Sequence, residues 1–196
     1  MTNLLVQHNV PLAVADHLSP LFSDIFPDSK IAKGYAAARM KTTCILNGSI
    51  APYFKVTLID VMKSRPFSIA IDGSNDSGLE KINPLTVRFF DEQRVLVVTQ
   101  LLDMCLTTGV DSGTAQSIFS KMDEVITSNG VSWSHCVGVG VDNTSVNLGV
   151  RNCIRTHVLQ CNPNTYFIGC PCYIVHNAAL KASEIFAQGS FNFYIF

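Results

Sequence analysis

Two aspartates stand directly after short apolar segments of the sequence. Asp72 follows the segment 67–71, and Asp142 follows the segment 136–141. Short apolar runs bounded by Pro, Gly or Asn are typical of buried strands. If the two strands are parallel neighbours, both carboxylates emerge side by side at one edge of a sheet, with the strand axes about 4.8 Å apart.

Such a pair of carboxylates could hold a metal ion. Two carboxylates about 4 Å apart repel each other by about 4 kcal/mol when the effective dielectric constant is about 20, so a proton or a cation between them is expected. Mg²⁺ prefers oxygen ligands, and two such ions would activate water or a 3′-hydroxyl for attack on a phosphodiester. The alternative is structural, with Asp72 in a turn before Gly73 and Asp142 capping a helix.

The elements that would position these aspartates follow residue 65 in the order β-β-β-α-β-α-β-α. Tight turns make the first three strands antiparallel, and crossover helices make the last two parallel. This order predicts an α/β domain, the mixed five-stranded sheet of the ribonuclease-H-like fold with helices on both faces. Strands are predicted over 67–71, 85–90, 95–102, 136–141 and 166–169, and helices over 115–126, capped by Asp111 or Ser112, 143–160 and 172–187.

A helical lead-in over residues 1–64 is predicted to precede the ribonuclease-H-like domain at 65–196. Apolar residues in the lead-in recur at the spacing of one helix face. A helix that begins at Lys30 would carry Lys33 and Lys41 on the same face. These lysines would contact nucleic-acid phosphates or, alternatively, form an ordinary solvated face.

Composition limits the classes of partner. The 14 basic and 15 acidic residues give a net charge of −1, so no global positive field attracts nucleic acid. Hydrophobic residues at 47% argue against disorder. No apolar run is long enough for a membrane span, and no secretory signal is recognised. No membrane partner is therefore expected. The chain has seven cysteines, an odd number, so we expect reduced thiols in an intracellular protein.

Four segments of the sequence carry a resemblance to a known family. They lie at 26–33, together with a stretch at 12–17, and at 67–72, 139–147 and 169–177. In this order they resemble motifs of transposases of the hAT superfamily and of host proteins derived from them. The resemblance implies a ribonuclease-H-like core in which two aspartates and a glutamate hold divalent metals and cut DNA, and a place in the nucleus. Asp72 and Asp142 match the two aspartates.

The match to the hAT pattern is incomplete. The family's glutamate follows a long helical insertion, whereas this sequence ends at Phe196, and Glu184 lies within the last predicted helix. We therefore expect a truncated domain that is catalytically inactive and binds DNA or protein partners, itself included through the apolar segment 191–196. The alternatives are a transposase fragment with residual Mg²⁺-dependent phosphodiester chemistry, a remnant without function and, more distantly, a sugar-kinase or actin-type ATPase.

Cys172 and His176 match the Cys/His segment of the hAT pattern. His176 is expected to hydrogen-bond the sheet edge near the acidic pair. A zinc site is not expected there, because Cys170, Cys172 and His176 do not provide four ligands at zinc-finger spacing. The same holds for a second set of residues, Cys153, His157 and Cys161.

Overall fold

The structure is a computed structural model that describes residues 1–75, 80–109 and 111–186. Its contacts divide the chain into two compact units, Met1–Leu58 and Ile59–Phe196. The division falls within the helix Ala51–Ser64, near the boundary expected at residue 64.

The first unit is built from helices. Ser29 caps α3, since its Oγ accepts a hydrogen bond of 3.2 Å from the Ala32 amide. The ring of Phe22 packs edge-on against Tyr35, with the ring centroids 5.1 Å apart. The helical segments are α1 (Thr2–Gln7), a 3₁₀ turn (Leu12–Val14), α2 (Ala15–Ile25), α3 (Lys30–Gly34), α4 (Arg39–Ile45), a π-helical turn (Leu46–Ile50) and α5 (Ala51–Ser64).

The prediction that one helix carries all three lysines is wrong. Helix α3 ends at Gly34, and the backbone at Tyr35 and Ala38 is extended before α4 begins. Gly34 is the last residue of α3, and glycine is about 1 kcal/mol less favourable than alanine in a helix. Lys41 therefore belongs to a different helix from Lys30 and Lys33.

The second unit contains the predicted α/β fold. Its principal strands lie in the order β4-β3-β1-β5-β6, where β1 is antiparallel to β3 and parallel to β5, and β6 is parallel to β5. This arrangement confirms the mixed five-stranded sheet. The strands are β1 (Phe67–Ile71), β2 (Ser74–Asn75), β3 (Glu80–Asp91), β4 (Leu96–Thr108), β5 (Cys136–Val141) and β6 (Tyr166–Gly169).

Strand β2 was not predicted. It has two residues and pairs with Lys81 and Ile82 of β3. Strands β3 and β4 also extend beyond the predicted hairpin, because their pairing continues from Asp91 back to Glu80.

The helices of the second unit differ from prediction at two places. The cap of α6 is Thr114, whose Oγ1 accepts from the Ser117 amide, rather than Asp111 or Ser112. The helix predicted over 143–160 is divided at Gly149, whose backbone is extended. The segments are α6 (Ala115–Ser128), a 3₁₀ turn (Trp133–His135), α7 (Ser145–Leu148), α8 (Ile154–Cys161) and α9 (Pro171–Phe186). In the described part of the chain, no helix has the length and apolarity to cross a membrane.

The two faces of the sheet differ in burial. Phe67, Ile69 and Ile71 of β1 point to one face and are buried. Helix α6 packs against β4 and α8 and contributes Met122 and Ile126 to the core. The structure refines the expectation of helices on both faces, because the second face keeps many side chains exposed.

Candidate acidic site at the sheet edge

Asp72 and Asp142 follow neighbouring parallel strands. Ala70 of β1 is paired with Gly140 of β5, and each aspartate lies two positions after its paired residue. The predicted adjacency of these strands is confirmed. Both aspartates stand at the carboxyl edge of the sheet, because each follows the end of its strand, and neighbouring strands lie about 4.8 Å apart. A shared cation between their carboxylates stays a prediction.

Asp142 is held by the turn that follows it. Its Oδ1 accepts hydrogen bonds from the Thr144 amide at 2.9 Å and from the side-chain amide of the buried Asn147 at 2.6 Å. Partial burial acts to raise the pKa of Asp142, but the hydrogen bonds from the Thr144 side chain and amide and from Asn147 outweigh it and lower the pKa. The carboxylate is therefore ionised at neutral pH.

Asp72 is exposed, and the next residue, Gly73, lies against the buried side chain of Asn83. A β-carbon at Gly73 would be 2.9 Å from Oδ1 of Asn83. The Asn83 side chain is buried and donates to the Cys105 carbonyl at 3.1 Å and to Thr107 Oγ1 at 3.4 Å. This packing fits the structural alternative for Asp72, a turn before a glycine that must remain small.

A third strand end is fixed at the same edge by Asn143. Its side-chain amide donates to the Cys170 carbonyl at 3.0 Å, and its Oδ1 lies where a β-carbon of Gly169 would be. Asn143 therefore connects the end of β5 to the end of β6, and Gly169 must lack a side chain for this contact to form.

Helix α9 presents the Cys/His segment to solvent. Cys172 and His176 are exposed, as is every side chain over 171–184. His176 makes no hydrogen bond to any residue that the structure describes, so the expected bond to the sheet edge is not found there. Glu184 is exposed on the same helix.

The second Cys/His set has structural contacts. The ring of His157 stacks on Phe119 with the centroids 5.2 Å apart, and its Nε2 lies 2.8 Å from Asn152 Oδ1. The buried Cys153 thiol contacts the Gly149 carbonyl at 3.0 Å. Over residues 1–75, 80–109 and 111–186, no three His, Cys, Asp or Glu side chains are grouped so that they could hold a metal ion.

The three lysines predicted to share a helix face, Lys30, Lys33 and Lys41, are exposed. Lys30 and Lys33 form no ion pair with a described residue. The Lys41 ammonium donates to the Ala36 carbonyl at 2.9 Å. The Arg39 guanidinium, in contrast, has an acidic partner, since its Nε lies 4.0 Å from Asp16 Oδ2. Lys30 and Lys33 are therefore available to an anionic partner.

No family model matches the chain, and no curated protein matches it. The resemblance of four sequence segments to hAT motifs therefore stays a prediction.

Two residues at this edge were not predicted: Asn147, which bonds Asp142, and Asn83, which lies against Gly73. Asn147 is separated from Asp142 by four residues, a spacing that allows a side chain after the turn to return to the carboxylate. This signal was present in the sequence. Asn83 gave no such signal, because its contact with Gly73 depends on the register between β3 and the end of β1.

Proposed function

We propose that this chain is a hAT-transposase-derived protein that binds nucleic acid and does not cleave it. The observation that carries the proposal is the engagement of Asp142 Oδ1 by two donors, the Thr144 amide and the Asn147 side chain. A carboxylate that stabilises a turn in this way has a structural role independent of any metal.

The acidic edge is the place where a transposase of this type would hold its metals. Asp72 and Asp142 supply two carboxylates from adjacent strands. Among the described residues no third acid joins them. Two carboxylates without a third acid suit the weak binding of one hydrated Mg²⁺. They suit less well the pair of metal ions that in-line attack on a phosphodiester uses.

A second candidate function is residual Mg²⁺-dependent phosphodiester cleavage. The strand register favours it, because Asp72 and Asp142 would bring their charges to the same point of the sheet edge. Mg²⁺ is often held by one or two carboxylates together with substrate phosphates. In this alternative the DNA itself supplies the remaining ligands.

Nucleic-acid binding is assigned to the helical unit. Lys30, Lys33 and Lys41 are exposed cations on α3 and α4, and none of them has an acidic partner among the described residues. Lysine contacts to phosphate release counterions, so the affinity would fall steeply as salt rises. The proposed contact is to the phosphate backbone and carries no sequence preference.

The experiment is a titration of a fluorescent DNA duplex with the full chain, read by anisotropy at several salt concentrations. We expect the logarithm of the affinity to fall linearly with the logarithm of salt, with a slope that decreases by about one for each lysine removed. Lys30→Ala and Lys33→Ala are the test variants, and the exposed Lys181→Ala on α9 is the control. Binding that salt does not weaken would contradict the proposal.

Protein partners and a nuclear location belong to the same proposal, because a protein that binds DNA must be in the compartment that contains the DNA. A fluorescent fusion of the full chain that concentrates in the nucleus would support the location, and a fusion excluded from the nucleus would contradict it. The expected role of the aromatic segment 191–196 in self-association lies outside the described residues.

A further inference from the structure

The second face of the sheet, here called the open face, is apolar and exposed. It consists of the side chains opposite to the buried Ile69 and Val87 on the paired strands. Seven large apolar side chains on it are 46–70% exposed: Phe90, Val97, Leu101, Met104, Leu106, Tyr166 and Ile168. Exposed apolar patches of this extent are typical of interaction surfaces.

The shape of the open face suits another sheet. Gly138 and Gly140 of β5 lie on it beside Ser68 and Ala70 of β1, so the centre of the face is low and flat. Apolar faces of two sheets pack about 10 Å apart with their strands roughly aligned. A polyanion such as DNA gains nothing from a surface of this composition.

The charges on the open face are self-complementary. Within the described strands, Glu80 and Arg88 are the charged side chains at open-face positions, and both are exposed on β3. Neither forms an ion pair with a described residue. They lie at equal distances on either side of Pro84, about 13 Å each along the strand.

We propose that the open face binds a second copy of this chain, related by a two-fold axis that lies midway between the two sheets and passes over Pro84 of β3. An axis perpendicular to β3 and parallel to the sheet runs the two β3 strands in opposite directions. Glu80 of each copy then faces Arg88 of the other, and Met104, the strand partner of Pro84, meets its own counterpart near the axis.

This inference specifies the protein partner of the proposed function, and it stands apart from DNA binding. The proposed DNA contact uses lysines of the first unit, whereas the open face belongs to the second. Loss of the dimer would leave the salt dependence of DNA binding intact, and loss of DNA binding would leave the dimer intact.

The test is sedimentation velocity of the full chain over a range of concentrations. We expect a monomer–dimer equilibrium in which Glu80→Arg or Arg88→Glu each weakens dimerisation by about tenfold or more, because both interface pairs become like-charged. The double variant Glu80→Arg/Arg88→Glu restores each pair in reverse and should return the dissociation constant to within about threefold of the original.

Two further variants separate this surface from others. Leu101→Asp on the open face should abolish the dimer, since it buries an unpaired charge. Ile31→Asp changes an apolar residue that is 87% exposed in the first unit and should have no effect. A chain that stays monomeric at every concentration, or an association that Ile174→Asp on α9 abolishes while Glu80→Arg does not, would overturn the proposal.

Discussion

Asn147 donates its side-chain amide to Asp142 at 2.6 Å, so the acidic residue at the end of β5 is bonded to the short helix that follows it. The Thr144 amide bonds the same oxygen. Two donors on one carboxylate oxygen stabilise its charged form. The best-defined role of Asp142 is thus to hold the turn between β5 and α7.

We expect Asn147→Ala to lower the free energy of unfolding at pH 7 by about 1 kcal/mol, the size of a hydrogen bond to a partly exposed charge. The pKa of Asp142 is lowered in the folded chain. Its contribution is therefore present above the unfolded-state pKa of about 3.9 and is lost as the pH falls through the lower folded value.

Urea unfolding of the wild type and Asn147→Ala between pH 7 and pH 2 measures this difference. The two curves should converge at the acid end. The exposed Asn164→Ala is the control and should match the wild type throughout. A difference between wild type and Asn147→Ala that does not shrink as the carboxylate is protonated would assign the effect to lost packing of Asn147 instead.

Gly169→Ala should destabilise the second unit by about 1–3 kcal/mol, because its β-carbon would collide with Asn143 Oδ1. Removing the obstacle in the double variant Asn143→Ala/Gly169→Ala should recover part of the loss. Gly138→Ala is the matched control on the adjacent strand, since its β-carbon would lie 3.5 Å from Ser68 Cβ, an ordinary contact. Thermal melting followed by circular dichroism compares all three, and equal melting of Gly169→Ala and Gly138→Ala would be the adverse result.

Ile69→Asp should unfold the sheet. Ile69 is 2% exposed in the central strand β1, and an unpaired charge there costs several kcal/mol. Ala70→Asp is the control, because the next residue points to the exposed face. Near-ultraviolet circular dichroism at room temperature distinguishes them, and a native spectrum for Ile69→Asp would show that β1 does not lie at the centre of the core.

The bounds of a strand could be predicted from the sequence where a proline or a polar residue flanks an apolar run. Pro66 before β1 and the polar Asp142 after β5 limit the strands, and the predicted bounds 67–71 and 136–141 match those of the structure. Their parallel pairing followed from the crossover through α6. The arrangement that brings the two aspartates to one edge could therefore be predicted from local patterns and the handedness of crossovers.

Other features depend on contacts that local patterns do not contain. Gly149 interrupts a segment whose apolar spacing suits one helix, and Gly34 separates Lys41 from the other two lysines. The two-residue strand at Ser74 and Asn75 is formed by pairing with β3, since a segment so short has no periodicity to recognise. The exposed face of the sheet was likewise not foreseen.

Under the proposed function, Asp142 stabilises a turn and the protein does not cleave DNA. The most direct test incubates the full chain with supercoiled plasmid in Mg²⁺ and, separately, in Mn²⁺, and measures nicked product beside an Asp142→Asn variant. We expect the wild type to produce no more nicked DNA than buffer alone. Nicking that requires the metal and disappears in Asp142→Asn would contradict this expectation and establish phosphodiester cleavage at the acidic edge.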